Sequence, residues 1–195
     1  MNKALLTLCR QATELAASAL LGAQLVSDTP EGRVAGRIVE VEAYGGAADG
    51  GSHISRAVTE RTKIMAGRPG LAYVYLIYGM HHCLNVVAHE DGEAGAVLVR
   101  AVEPLEGLAL MEARRGTARV RDLCNGPGKL CQAFGITKRH NGHCLASPPL
   151  YIVPGARPAA AEIAAAPRIN IDYAGEAKDW LWRFYLSGNP YVSRK

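Results

Sequence analysis

From Leu5 to Leu20 the apolar positions Leu5, Leu8, Ala12, Leu15, Ala19 and Leu20 recur at helical spacing. That spacing predicts one amphipathic helix ending near Gly22. A polar turn, "SDTPEG", follows. The period then changes to two in "RVAGRIVEVEAYGG": Val39, Val41 and Ala43 alternate with Glu40, Glu42 and Tyr44. This predicts a strand with one apolar face and one face carrying two carboxylates and a phenol. "GGAADGGSH" reads as a loop, and a basic stretch with Arg56, Arg61, Lys63 and Arg68 comes next. "LAYVYLIY" is a second strand, which Gly79 can reverse into "HHCLNVVAH" as a hairpin. After the turn "EDGEAG", "AVLVRAVEPLEG" reads as a strand leading into a helix with Pro104 in an early helical position. "CNGPGKLCQAF" reads as a helix start with Asn125 as cap and Pro127 just inside. "PPLYIVPGARPAAAEIAAAPRI" is proline-rich and irregular apart from a short alanine-rich helix. "LWRFYLSGNPYVS" closes the chain as strand and turn. Strands and helices mix without a βαβ rhythm. The expectation is α+β: one mixed domain over residues 1–195, built on a curved antiparallel sheet with surrounding helices.

Composition changes this picture little. A chain of 195 residues with a formal charge of +4 suits one mildly basic domain, compatible with an anionic partner. Cys9, Cys83, Cys124, Cys131 and Cys144 are odd in number and form no C-x-x-C pair, so a reducing cytoplasm is the simpler expectation. "HNGHC" (His140 to Cys144) lacks a fourth partner at zinc-ligand spacing, and no metal is expected. Arg10, Gln11 and Glu14 interrupt the apolar N-terminus, leaving no signal-peptide core and no membrane span. "GPGK" around Lys129 lacks both the first glycine and the Ser/Thr of a P-loop. What remains there is a helix start and a lysine suited to one backbone phosphate.

Two places carry candidate chemistry. Glu40 and Glu42, two apart on a strand, share a face roughly 7 Å apart. On a solvent face they are the polar half of an amphipathic strand. Beside Tyr44 and a loop leading to His53, a carboxylate could instead orient and deprotonate a water. The second place is "YVYLIYGMHH". Tyr73, Tyr75 and Ile77 alternate with Val74, Leu76 and Tyr78, and Tyr78 directly precedes Gly79. Strand tyrosines are common. The alternative is an aromatic platform on which nucleic-acid bases stack, with Tyr78 as a wedge at the hairpin tip.

Five stretches in order, "GRIVEVEAYGG", "YVYLIYGMHHCLNVV", "VLVRAVEPLEGL", "CNGPGKLCQAF" and "RFYLSGNPYVS", span nearly the whole chain. With them the sequence resembles the alkyladenine (3-methyladenine) DNA glycosylases of the type not built on helix-hairpin-helix. The resemblance implies that Glu42 is the general base and Glu40 a supporting neighbour. It implies that Arg100 lies near the flipped nucleotide's phosphate and the water. Tyr44, His53, Tyr75 and Asn85 would form the base pocket, with Asn85 disfavouring guanine's 2-amino group. Tyr78 would insert into DNA from a protruding hairpin. Arg56, Arg61, Lys63 and Lys129 are the candidates for the DNA backbone. The sequence departs from the family at "TERTKIMAGRPG", where Glu60 replaces proline and Ala66 replaces phenylalanine, and in the glycine-rich loop from Ala47 to Ser52.

The implied activity is that of a monofunctional glycosylase acting, without cofactor, as a monomer on double-stranded DNA carrying alkylated or deaminated purines, in the cytoplasm, nucleoid or nucleus. The same aromatics would also serve a lesion-binding protein that leaves Glu42 idle. A hydrolase of free nucleosides would need neither the exposed Tyr78 nor the basic loop.

Overall fold

A computed structural model describes residues 2–193. The Asn2 side chain accepts the N–H groups of Ala4 and Leu5 and caps α1 (Lys3–Leu8). The apolar spacing that predicts one helix yields two, because the chain leaves helical geometry after Leu8 and resumes in α2 (Thr13–Leu20). Tertiary hydrogen bonds account for the break. His89 N–H donates to the Cys9 carbonyl at 3.0 Å, and the Gln11 amide donates to the Leu8 carbonyl at 2.8 Å. Both carbonyls are thereby satisfied without continuing the helix.

β1 (Gln24–Thr29) and β2 (Gly32–Tyr44) form a hairpin around Pro30 and Glu31. Ser27, Asp28 and Thr29, read from sequence as part of a turn, lie in β1. After α3 (His53–Arg56) come β3 (Ala72–Ile77), β4 (His81–Val87) and β5 (Ala96–Glu106). Then α4 (Leu108–Arg115), α5 (Pro127–Ala133), β6 (Leu150–Val153), β7 (Ile163–Ala166) and β8 (Arg183–Leu186) complete the chain. The eight strands form one open sheet in the order β3-β4-β5-β2-β1-β6, with β8 also on β2 and β7 on β8. All pairs are antiparallel. The fold is α+β.

Three local readings are corrected. Pro104 lies in β5, paired with Gly36 at a register shift, and α4 starts only after Gly107. Asn125 does not cap α5; Gly126 holds that position, and the Asn125 oxygen instead accepts Lys129 Nζ at 2.7 Å. The alanine-rich segment forms a short 3₁₀ turn and then β7. Pro158 and Pro167 bracket only eight residues there. That is too few for a helix to stand on propensity alone, so pairing with the β8 edge wins.

β2 organises the sheet. It pairs with β5 along most of its length, with β1 over its first half and with β8 at Glu40–Glu42. One face of the sheet carries Val39, Val41, Ala43, Val97, Val99, Leu84 and Val86 into a core completed by α1, α2, α4 and α5. The other face carries one row of residues through successive pairs: Tyr73 with Asn85, Asn85 with Leu98, Leu98 with Glu42, and Glu42 with Arg183. β3, β4, β5, β2 and β8 thus bring five side chains, distant in sequence, to one line.

At Gly36 β2 and β5 leave no room for a side chain. A Cβ there would overlap Val102 Cγ1 and sit 2.6 Å from the Glu103 carbonyl oxygen. Backbone cannot yield as a side chain can, so Gly36→Ala should destabilise by about 1–3 kcal/mol, the usual cost of overpacking. Gly46→Ala, whose nearest neighbour would be an ordinary contact at 3.4 Å, should cost far less. Chemical denaturation of both variants checks this; equal midpoints would refute it.

Candidate active site

Glu42 of that row and Glu40, two residues earlier on the same face of β2, are both fully buried carboxylates. The reading of Glu40 and Glu42 as a solvated polar face is therefore wrong. Glu40 Oε1 accepts Arg100 Nε at 3.2 Å and Arg183 Nη1 at 3.0 Å, and its Oε2 accepts the Ser193 N–H at 2.6 Å. Glu42 Oε2 accepts Tyr44 Oη at 2.7 Å and Arg100 Nη1 at 3.1 Å, and its Oε1 accepts the Ile169 N–H at 2.7 Å. A carboxylate offers about four acceptor sites. Glu42 uses three of them, and the remaining one is on Oε1. Burial works against the charge of Arg100, but Glu42 and Glu40 outweigh it and raise its pKa.

Beside Glu42 lies a cavity of about 300 Å³, at the lower end of the range for small-ligand sites. Tyr44, His53, Tyr75, Asn85, Arg100 and Ile169 all line it. Glu42 itself is not part of the lining, but Tyr44, Arg100 and Ile169, which hydrogen-bond to it, are. Tyr73, almost wholly buried, holds His53 by a 3.0 Å hydrogen bond between its hydroxyl and Nδ1. The His53 ring meets Tyr75 edge-on at 4.7 Å. The Asn85 amide donates to the Tyr73 carbonyl at 3.0 Å, which fixes it in the wall. Burial, then Arg61 and Arg56, lower the pKa of His53 from 6.5. Burial and then Glu42 push Tyr44 well above 10. Near neutral pH the imidazole is uncharged and the phenol keeps its proton.

Tyr78 sits at the mouth of the cavity and is 77 % exposed. Strand alternation would place it opposite Tyr75, yet it lines the same cavity. Its φ is +54° and that of Gly79 is +72°, with Met80 N–H donating to the Ile77 carbonyl at 3.2 Å. Positive φ at both central residues is the pattern of a type I′ hairpin turn. Glycine takes that conformation freely, whereas for tyrosine it costs about 1–2 kcal/mol.

The basic candidates divide. Arg56 and Arg61 line a second cleft that shares His53 and Tyr173 with the cavity. Arg56 stacks on the Tyr173 ring at 4.7 Å, and Ser52, which also lines this cleft, has a buried hydroxyl without a hydrogen-bond partner. Lys63 is paired with Glu60, the residue that replaces proline, at 2.5 Å and lies in neither cavity. Lys129 is tied to Asn125, close to Pro127 and Gly128 on the cavity wall. Among the described residues no group of His, Cys, Asp and Glu is arranged to hold a metal ion.

Sequence reasoning missed a second buried assembly behind Tyr44. Arg168 forms a two-pronged ion pair with Asp49 at 2.6 and 2.7 Å and donates to the carbonyls of Ala43 and Ala177. Its guanidinium lies 4.8 Å from the Tyr44 ring centre and 5.3 Å from that of Trp182. Asp49 also accepts the N–H groups of Gly45 and Gly51. The glycines of this loop are there for close approach: a Cβ on Gly45 would press on Trp182 at 3.2 Å, and one on Gly50 would lie 2.6 Å from the Ala174 carbonyl. Arg168 and Asp49 are 119 positions apart, so no local pattern announces them.

Several known proteins are similar to this chain over most of its length. A curated protein of Methanocella arvoryzae is 51 % identical over 178 residues, 90 % of this chain and 88 % of the other. One of Alkaliphilus oremlandii is 49 % identical over 90 % of this chain and 91 % of its own. One of Bacillus subtilis is 48 % identical over 95 % and 93 %. All three are named as candidate 3-methyladenine DNA glycosylases. The profile of the methylpurine-DNA glycosylases (MPG) matches residues 7–190. With nearly its whole length covered, the chain belongs to the methylpurine-DNA glycosylase family.

Proposed function

We propose that this protein excises alkylated purines such as 3-methyladenine and 7-methylguanine from duplex DNA by base flipping and hydrolysis. As a member of its family it is a hydrolytic DNA N-glycosylase. The observation that carries the finer reading is the juxtaposition of three features. A wall of Tyr44, His53, Tyr75 and Asn85 adjoins a carboxylate with one free acceptor site, beneath an exposed tyrosine held in a strained turn.

Flipping a base costs a few kcal/mol of stacking and pairing, less for damaged pairs. Tyr78 offsets part of that cost by filling the vacated place in the stack. Its ring needs no rearrangement, because the turn already holds it outwards. The extruded purine enters the aromatic cavity. The fixed Asn85 disfavours a ring carrying guanine's 2-amino group and so guards against undamaged guanine; 7-methylguanine meets the same wall but is released because its cationic ring is a far better leaving group. An uncharged His53 adds no like charge against a cationic alkylpurine. Arg56 and Arg61 in the adjoining cleft take phosphates of the same strand.

The attacking water occupies the open acceptor site on Glu42 Oε1. As the N-glycosidic bond breaks, positive charge develops on the sugar, and Glu42 stabilises that charge and accepts the proton of the water attacking C1′. The departing bond's electron pair goes to the base, which an alkylated cationic purine accepts readily. Tyr44 Oη, Arg100 and the Ile169 N–H hold the carboxylate in place. Products are a free base and an abasic site with the strand intact. A lesion-binding protein without catalysis would not need Glu42 so held, and a nucleoside hydrolase would not need Tyr78.

Three results check this reading. Glu42→Gln should lower base release from a methylated duplex about 10²–10⁴-fold, the usual worth of a general base, with lesion binding retained. Glu40→Gln should instead lose folding stability, because it leaves Arg100 and Arg183 facing a neutral amide. At a temperature where both fold, equal losses of excision would overturn the division of roles. Replacing Tyr78 by Asn, which tolerates positive φ, should leave the fold as stable or more so. It should nevertheless depress excision more on a well-paired lesion than on the same lesion at a bulge. A destabilised Tyr78→Asn protein with equal losses on both substrates would make Tyr78 a structural residue.

The third result concerns His53. Its folded pKa lies below 6.5, so the unfolded chain takes up the proton first as pH falls. That contribution to stability is fully present above 6.5 and declines as pH falls below it. Relative to His53→Gln, the wild type should therefore lose stability between pH 7 and pH 5. Parallel curves would show an unperturbed imidazole.

A further inference from the structure

The function derived so far uses one face of the hairpin formed by β3 and β4. Tyr73, Tyr75, Ile77, His81, Cys83 and Asn85 face the cavity. The paired residues Leu76 and His82 belong to the opposite face and line no part of it. Leu76 is an exposed large apolar residue close to the tip. β3 is also the outer strand of the sheet, and the segment from Cys144 back to Lys138 runs along it. Leu71 bridges to Cys144, Ala72 N–H donates to the His143 carbonyl at 2.7 Å, and Val74 N–H donates to the Asn141 side chain at 2.9 Å. This run leads towards the tip, so the turn Lys138–His140 packs against β3 on the flank of the hairpin. Lys138 and Arg139 are exposed there. His140 is close enough to His82 and His143 for both to help burial lower its pKa.

Charge is distributed to match. Residues 68–87 and 136–147, which supply the hairpin and its flank, hold three Lys and Arg and no Asp or Glu. The rest of the chain holds nineteen Lys and Arg against all eighteen acidic residues. A hairpin that drives a wedge into a duplex has DNA on both sides. The cavity side faces the strand that carries the flipped base, and the other side meets its complement.

We propose that Lys138 and Arg139, flanking Leu76 and His82, form a second phosphate-binding face that grips the strand opposite the lesion. This inference rests on the glycosylase reading above. It makes recognition bipartite: Arg56 and Arg61 hold the damaged strand, and Lys138 and Arg139 hold the undamaged one. Each true phosphate contact contributes about 0.9 to the slope of log affinity against log salt on duplex DNA.

The test is the double variant Lys138→Ala/Arg139→Ala, both exposed and so without expected effect on folding. Binding is titrated against salt on a duplex bearing one 7-methylguanine and on the lesion strand alone. The duplex slope should fall by about 1.8, whereas the single-strand slope should be unchanged. An unchanged duplex slope would overturn the proposal, and so would an equal drop on both substrates, which would assign the face to the damaged strand. Binding reads this outcome whether or not the base is released. A wild type that binds both substrates but releases no base would refute the glycosylase reading and leave the slope comparison intact.

Discussion

Four charged side chains, Glu40, Glu42, Arg100 and Arg183, are buried together on one face of the sheet. Removing any such group from water costs several kcal/mol even after relaxation, and the cost is recovered only if every charge finds good partners. Here the two carboxylates balance the two guanidiniums, and both carboxylates accept three hydrogen bonds. The partners come from β5, from β8, from the backbone at Ile169 and from the backbone at Ser193. Chain segments far apart in sequence must therefore be in place before the cluster is satisfied. The fold and the setting of Glu42 are consequently one problem: the contacts that make its burial tolerable are the same ones that orient it.

The two carboxylates are held alike and exposed alike, but they are not equivalent. Glu40 is enclosed by two arginines and the terminal backbone and touches no cavity residue except through Arg100. Glu42 is bordered by three residues that line the cavity. Arg100 touches both, so it carries the charge balance of the inner carboxylate to the outer one. Arg100 is itself pinned at its Nε by Glu40, so it cannot swing away from Glu42 without breaking a second ion pair.

What was legible in the sequence follows from range. The period-two alternation in β2, β3 and β5 fixes which residues share a face, and the face of Glu40, Glu42 and Tyr44 is indeed the one that faces the cavity. Alternation does not say whether that face meets water, and this is why the solvated reading of the two glutamates survived on pattern alone. The resemblance to a known family points to the residues that the fold then gathers around one cavity. The losses are all tertiary. The Cys9 carbonyl ends a helix because of His89, an alanine run becomes a strand because β8 offers an edge, and Asp49 finds Arg168 across most of the chain. Tyr78 leaves its predicted face because the turn begins one residue before Gly79.

That early turn links the fold to the chemistry. A hairpin of this geometry would be most stable with asparagine or glycine at both central positions. Tyrosine at the first of them stores about 1–2 kcal/mol of backbone strain, and the ring gains almost nothing in return within the free protein, since it is largely exposed. Strain retained without local compensation points to a use outside the free molecule. Behind the cavity the opposite holds. Tyr44 is braced by Arg168 and hydrogen-bonded to Glu42, Asn85 is tied to backbone, and His53 is anchored by Tyr73. The molecule thus combines rigid walls with one outward, strained aromatic. In the proposed mechanism a DNA lesion site accepts that ring only when a base has left the stack, so relief of exposure at Tyr78 and filling of the cavity would belong to the same event.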